Sequence, residues 1–238
     1  MRVPPASLDE VASDSQVSLL HLRNWRDLGG LPTRSGALAV KPRCFFRSST
    51  PSRFAPAEHR ALARLNLRRI VDLRTTAEVN PPGSSVLAPG AQVLHIPLFE
   101  TARQNWIGPV DQSARATAIR YFEMLQDGLG SLAATIWEVA QEDATPFLVS
   151  CSAGRDRTGI VVACILDLID VSDEAIATDY ACSDPFDPDS GRAHAATVLE
   201  LFLLLRSHYG SVQRMLGSHG IADSLVEALR RQLLTPRV

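Results

Sequence analysis

Short apolar runs separated by helical patterns are the feature that most narrows the folds open to this chain. Arg69-Ile70-Val71-Asp72-Leu73, Val93-Leu94-His95-Ile96 and Phe147-Leu148-Val149 are too short for buried helices and carry β-branched or aromatic residues, so each predicts a buried strand. Amphipathic patterns near Ala114 to Leu125 and Leu132 to Gln141 lie between them, and Gly159 to Leu168 is apolar on nearly every side. Such alternation predicts an α/β fold, a mostly parallel central sheet flanked by helices. Pro56 to Asn66 adds a helical pattern, and Leu38 to Val40 with Cys44 to Arg47 predicts an early strand pair turning on Lys41 and Pro42. Asp173 to Leu234 reads as helix apart from a Pro/Asp-rich break at Asp184 to Ser190.

No repeat or composition break divides the 238 residues, so a single domain is expected over 15–238, with 1–14 as a flexible tail. Net charge is −2 with the basic residues scattered, which excludes the long-range field of a nucleic-acid binder. Any bound anion must be held locally. Cys44, Cys151, Cys164 and Cys182 show no C-x-x-C spacing and no histidine partners at zinc-ligand distances, so neither metal, cofactor nor disulfide framework is predicted. Met1 to Glu10 has two prolines and two acids in place of a basic stretch and apolar run, and does not read as a secretory signal. Ile160 to Ile169 and Val198 to Leu205 fall short of the ~20 residues of a membrane span. A cytoplasmic protein without a membrane span is expected, its oligomeric state open.

In parallel sheets ligands sit beyond the carboxyl ends of the strands, which directs attention to the residues after Val149. Positions 150–159 read Ser-Cys-Ser-Ala-Gly-Arg-Asp-Arg-Thr-Gly, between a buried strand and a buried helix. Ser152, Ala153 and Gly154 are small enough to wrap backbone N–H groups around a phosphate at a helix N-terminus. Cys151 heads the loop, where those amides and cations favour a thiolate nucleophile. Arg157, six residues on, can match equatorial phosphoryl oxygens bidentately. The Thr158 hydroxyl can donate to the sulfur as it leaves. Together these are the parts of phosphoryl transfer to a thiol.

Cys151 to Gly159 resembles the phosphate-binding loop of the protein tyrosine phosphatase superfamily. Asn24-Trp25-Arg26-Asp27-Leu28-Gly29-Gly30, Phe46-Arg47-Ser48-Ser49, Val71-Asp72-Leu73-Arg74 and Tyr209-Gly210-Ser211 are similar, in the same order, to its bacterial and fungal broad-specificity branch. The resemblance runs over nearly the whole chain from about Leu20. It implies hydrolysis of phosphotyrosine and, in some members, of phosphoserine, phosphothreonine or phosphoinositides. The branch's Gly-Lys-Asp-Arg is matched by Gly154-Arg155-Asp156-Arg157, which places Arg155 on phosphate or substrate by analogy.

Two departures stand out. Ser150 replaces the histidine that opens the family's loop and helps keep the sulfur ionised. That implies a less stabilised thiolate, or else room beside the loop for a bulkier substrate. No Trp-Pro-Asp occurs, so the general acid must come from elsewhere. Asp156, in the loop itself, is the first choice and Asp72, at a strand end on the same edge, the second. The competing reading of Asp156 is a brace for the loop, and of Asp72 an ion pair with Arg47 or Arg74. Asn24 to Gly30 is expected to buttress the active-site edge, and Glu100 to Gln112 to be a surface loop more than a substrate lid. The histidines are dispersed and receive no role.

The function expected is a phosphomonoesterase acting through a phosphocysteine on phosphotyrosine or a small phosphorylated metabolite; the weak charge speaks against inositol lipids at a membrane. Ser150 keeps open a pseudophosphatase that recognises phosphorylated partners without turnover. Sulfur transfer and arsenate reduction also use a cysteine in an anion loop, but no resolving thiol lies near Cys151 in sequence.

Overall fold

In the computed structural model, which describes residues 22–51, 62–81, 90–102, 113–183 and 193–237, the predicted buried runs become neighbouring strands. The strands are β1 (Arg26–Asp27), β2 (Leu38–Val40), β3 (Phe45–Ser49), β4 (Arg69–Asp72), β5 (Gln92–His95), β6 (Phe147–Cys151) and β7 (Leu234–Pro236). Five of them form one sheet in the order β1-β3-β6-β4-β5. Within it β3, β6, β4 and β5 run parallel, and only β1 runs antiparallel, on the edge beside β3. The helices are α1 (Thr76–Val79), α2 (Ala114–Asp127), α3 (Leu129–Val139), α4 (Asp156–Leu168), α5 (Asp173–Ala181), α6 (Ala195–Tyr209), α7 (Val212–Gly217) and α8 (Asp223–Leu233).

Period-two alternation sends successive strand residues to opposite faces. Phe45, Val71, Phe147 and Val149 enter the large core with α2 to α8, whereas Phe46, Ile70 and Leu148 join Leu22, Leu62, Leu65 and Leu67 across the sheet. Phe45 and Phe147, opposite in register, bring their rings to 4.5 Å. A sheet covered on both faces explains why β3, β4 and β6 are buried throughout. Residues of α4 are buried on nearly every side because it lies within the large core. Among the described residues no helix is long and apolar enough to cross a membrane.

Two expectations change. Leu38–Val40 and the strand after it are not a hairpin: β2 pairs antiparallel with β7, whereas β3 lies in the other sheet, antiparallel to β1 and parallel to β6. The connection takes Arg43 to φ +60°, with its N–H donating to Asp27 Oδ2 at 2.7 Å, and so turns β3 away into the sheet. β5 is not a buried strand but the sheet's outer edge, with Val93 40% exposed. Most of the Pro56 to Asn66 helix, the Asp184 to Ser190 break, the 103–112 part of the surface loop and the tail 1–14 lie outside the described residues.

Sheet order positions the site. β6 lies between β3 and β4, so the carboxyl ends at Ser49, Asp72 and Cys151 converge, and the loop from Cys151 to α4 sits above them.

Candidate active site

The loop after β6 closes tightly. Cys151 is buried, and its Sγ accepts the Gly154 N–H at 3.3 Å. Gly154 takes φ +69°, and a Cβ there would overlap the Ser48 carbonyl and the Ser49 nitrogen. Only glycine allows both the left-handed conformation and this approach to β3. Loop carbonyls are taken up from outside. Asn24 Nδ2 donates to Ala153 O at 2.8 Å, and Arg47 Nη2 donates to Gly154 O at 2.9 Å and Arg155 O at 3.4 Å. Thr50 anchors the root, its N–H and Oγ1 donating to Cys151 O at 2.8 and 3.0 Å.

Arg47 is fully buried and is charge-compensated by Asp179, which accepts from Arg47 Nη1 at 2.6 Å and from Arg26 Nε at 2.5 Å. Burial disfavours charge on Asp179, but the two arginines outweigh it and hold the carboxyl below its usual range. Burial pulls Arg47 in the opposite sense, below its usual value. This buried pair is the brace that fixes the loop's carbonyls.

Arg157 projects from the first turn of α4 and is met by Glu78 of α1. Glu78 accepts from Nη1 at 2.5 Å and Nη2 at 2.8 Å, and also from Ser152 Oγ. It is placed by a capping box: Thr75 accepts the Glu78 N–H while Glu78 accepts the Thr75 N–H at 2.8 Å. Burial raises Glu78's pKa, but Arg157 and Ser152 outweigh this and bring it down to about 2. Arg157 likewise loses charge stability to burial and regains more from Glu78 and Cys151, so it stays protonated. Its guanidinium lies over the Phe99 ring, 5.5 Å from the centroid.

Asp156 opens α4, its side chain 38% exposed. Tyr121 donates its hydroxyl proton to Oδ1, and Arg155 Nε donates to the same oxygen at 3.2 Å. Tyr180 in turn meets the Tyr121 hydroxyl at 2.7 Å.

A model of the tyrosine phosphatase family matches residues 17–235. The chain belongs to the tyrosine phosphatase family. A tyrosine-protein phosphatase of Nostoc commune is 24% identical over 224 residues, covering 83% of this chain and 76% of that protein. The triple specificity protein phosphatase PtpB of Mycobacterium tuberculosis is 28% identical over 190 residues, covering 68% of this chain and 66% of the relative. The Siw14 catalytic core superposes with a TM-score of 0.47 at 18% identity, covering 83% of this chain and 92% of that one.

Within this phosphatase the sequence-predicted loop residues, 151–158, come together, and Asp72 stands apart from them in its bonding. Both Asp72 oxygens are engaged by Arg74, with Nη2 at 2.7 Å and Nε at 3.0 and 3.1 Å, and Oδ1 also accepts the Arg74 N–H. At 3% side-chain exposure this is a buried ion pair, the competing reading of that residue. Ser150 is fully buried between Ser48 and Asp72 in register, its hydroxyl donating to Val71 O at 3.3 Å. Thr158 Oγ1 is buried and has no hydrogen-bond partner among the described residues, the Cys151 sulfur included.

Sequence reasoning missed Glu78, Tyr121, Tyr180 and Asp179. For Glu78 a signal existed, since Thr75-x-x-Glu78 is a capping-box pattern directly after the strand that ends at the site's edge. The other three are recognised only by what they touch. Cys164 is an inert contrast to the loop cysteine: burial pushes its thiol well above the ordinary range.

Proposed function

We propose that this phosphatase is a cysteine-dependent phosphomonoesterase that works through a phosphocysteine intermediate on phosphotyrosine or a small phosphorylated metabolite. The reading rests on Cys151 Sγ lying at the floor of a closed anion loop, facing the Gly154 amide, with Arg157 on the loop's far limb. The Cys151 thiolate attacks phosphorus while the bond to the leaving oxygen breaks. Asp156 gives its proton to that oxygen. Water then attacks phosphorus, its proton passes to Asp156, the S–P bond breaks and the thiolate is restored.

Glu78 occupies one edge of the Arg157 guanidinium. The longer contacts of Arg157, to Ser152 Oγ at 3.4 Å and Leu73 O at 3.5 Å, are the ones equatorial phosphoryl oxygens would replace. The loop amides and the N-terminus of α4 supply the remaining positive field. Arg155, tied to Asp156, adds positive charge at the rim. Arg74 engages both Asp72 oxygens, which supports Asp156 over Asp72 as the acid.

Phosphate release from a panel of aryl, peptide and sugar phosphates, with Cys151→Ser compared with the parent, tests the reading. Turnover should vanish in the variant while vanadate affinity is kept. Parental turnover by Cys151→Ser would remove the phosphocysteine. Vanadate binding by a parent that turns over nothing would favour a phosphate-recognising pseudophosphatase.

A further inference from the structure

From the chain of hydroxyls behind the loop we infer that Tyr121, backed by Tyr180, is a positioning residue that clamps Asp156 by one oxygen and leaves the other for proton transfer. This rests on Asp156 being the acid of the proposed reaction. Tyr121 projects from α2 and Tyr180 from α5, elements far from the loop in sequence, and both rings are buried. They meet edge to face, ring centroids 6.1 Å apart.

The proton inventory sets the direction. A phenol carries one proton, and a carboxylate can only accept. Tyr121 spends its proton on Asp156 Oδ1, so in the 2.7 Å contact between the hydroxyls Tyr180 must be the donor. The order is Tyr180 O–H to Tyr121 O–H to Oδ1. Both phenols stay protonated throughout: burial and the Asp156 charge raise Tyr121 well above its ordinary value, and burial pushes Tyr180 up to about 12. The second donor to Asp156, Arg155 Nε, falls on Oδ1 as well. Among the described residues none bonds Oδ2, on a side chain that is more than a third exposed.

Such an arrangement does two things. It fixes the carboxyl plane by two donors on one oxygen, and it leaves the other, on a partly exposed side chain, without a donor among the described residues and so open to a leaving group. Orientation of this kind governs how well a proton meets the leaving oxygen, and has no bearing on attack by the thiolate. Gly159 makes the clamp possible. A Cβ on Gly159 would stand 2.9 and 3.0 Å from Cδ2 and Cε2 of the Tyr180 ring. The glycine closing the loop motif thus makes room for the far end of the hydroxyl chain.

Hydrolysis of an alkyl phosphate and of an activated aryl phosphate is measured for Asp156→Asn, Tyr121→Phe, Tyr180→Phe and the Tyr121→Phe/Tyr180→Phe double variant. Asp156→Asn should lose about 10² to 10⁴ on the alkyl ester and little on the aryl one. Tyr121→Phe should lose about tenfold on the alkyl ester only, with aryl turnover and vanadate affinity in the same sample reporting an intact loop. Tyr180→Phe should lose less, and should add nothing to Tyr121→Phe, because it acts through that hydroxyl. Equal losses on both esters in Tyr121→Phe, or additive effects of the two tyrosines, would overturn the clamp. If Asp156→Asn itself showed no dependence on the leaving group, the acid assignment would fail and the clamp's purpose with it.

Discussion

Glu78 grips Arg157 by both terminal nitrogens, at 2.5 and 2.8 Å, and so decides which edge of the guanidinium faces the loop. Bidentate pairing sets orientation as well as charge. Glu78→Gln keeps the side chain's shape but surrenders the charge and one acceptor. The variant should lose about 10- to 100-fold in kcat/KM, the equivalent of one charge-assisted contact. The loss should be the same for alkyl and aryl esters, because the arginine serves the phosphoryl group whichever oxygen departs. A loss confined to alkyl esters would place Glu78 on the leaving group instead.

The same pair has a pH signature. Arg157 and Ser152 outweigh burial to hold Glu78 at about 2, below the ordinary glutamate value of 4.5. A carboxyl depressed in the folded state stabilises fully above its unfolded pKa and loses that contribution as pH falls through the folded one. The stability gap between the parent and Glu78→Gln should therefore be widest above pH 4.5 and close as pH approaches 2. Urea unfolding across that range measures it. A gap that does not narrow would mean that the pair contributes nothing to folding.

Gly154 is the loop position least able to change. A residue with a side chain would meet both the left-handed strain of φ +69° and the Ser48 carbonyl. Gly154→Ala should cut turnover by at least about 10², since displacing the cradle misaligns nucleophile and phosphorus. Circular dichroism should still report the parental secondary structure. An active Gly154→Ala would show that the Ser48 contact can give way.

Asp72 and Asp156 are distinguished by burial. Neutralising Asp72 takes from the buried Arg74 the carboxylate that meets its Nε and Nη2, so Asp72→Asn should lose about 1 to 3 kcal/mol of stability by urea unfolding. Its folded fraction should hydrolyse alkyl and aryl esters in the parental ratio. Selective loss on the alkyl ester would return Asp72 to the chemistry.

Thr158 Oγ1 is an orphaned buried hydroxyl. Replacing such a group by an apolar one of the same shape removes an unsatisfied dipole. Thr158→Val should be neutral or more stable by up to about 1 kcal/mol, with turnover within about twofold of the parent. A marked fall in turnover with unchanged stability would show that the hydroxyl reaches the sulfur once phosphate is bound.

What could be read in the chain follows from how local the information is. The runs at Ile70-Val71 and Phe147-Leu148-Val149 declare buried parallel strands because both faces must be apolar. The loop motif declares its chemistry because Cys151, Gly154, Asp156 and Arg157 are neighbours, and a loop between strand and helix needs no distant partner to be recognised. Distance in sequence hides the rest. Glu78 reaches Arg157 across 79 residues, Tyr121 reaches Asp156 across 35, and Arg47 reaches Asp179 across 132. Each contact depends on strand register and on where α2 and α5 cross the loop, which no window of sequence contains. The same holds for Leu38 to Val40, whose partner lies at the chain's far end. Ser150 shows the limit from the other side. Its identity was legible as a departure from the family, but only the sheet around it reveals that it is buried with its hydroxyl on the Val71 carbonyl. The sequence by itself determined the fold class and the nucleophile's loop, since hydrophobic period and contiguous motif are local properties. Tertiary structure alone decided which side chains orient the arginine and the acid, because packing brings together residues that the chain keeps apart.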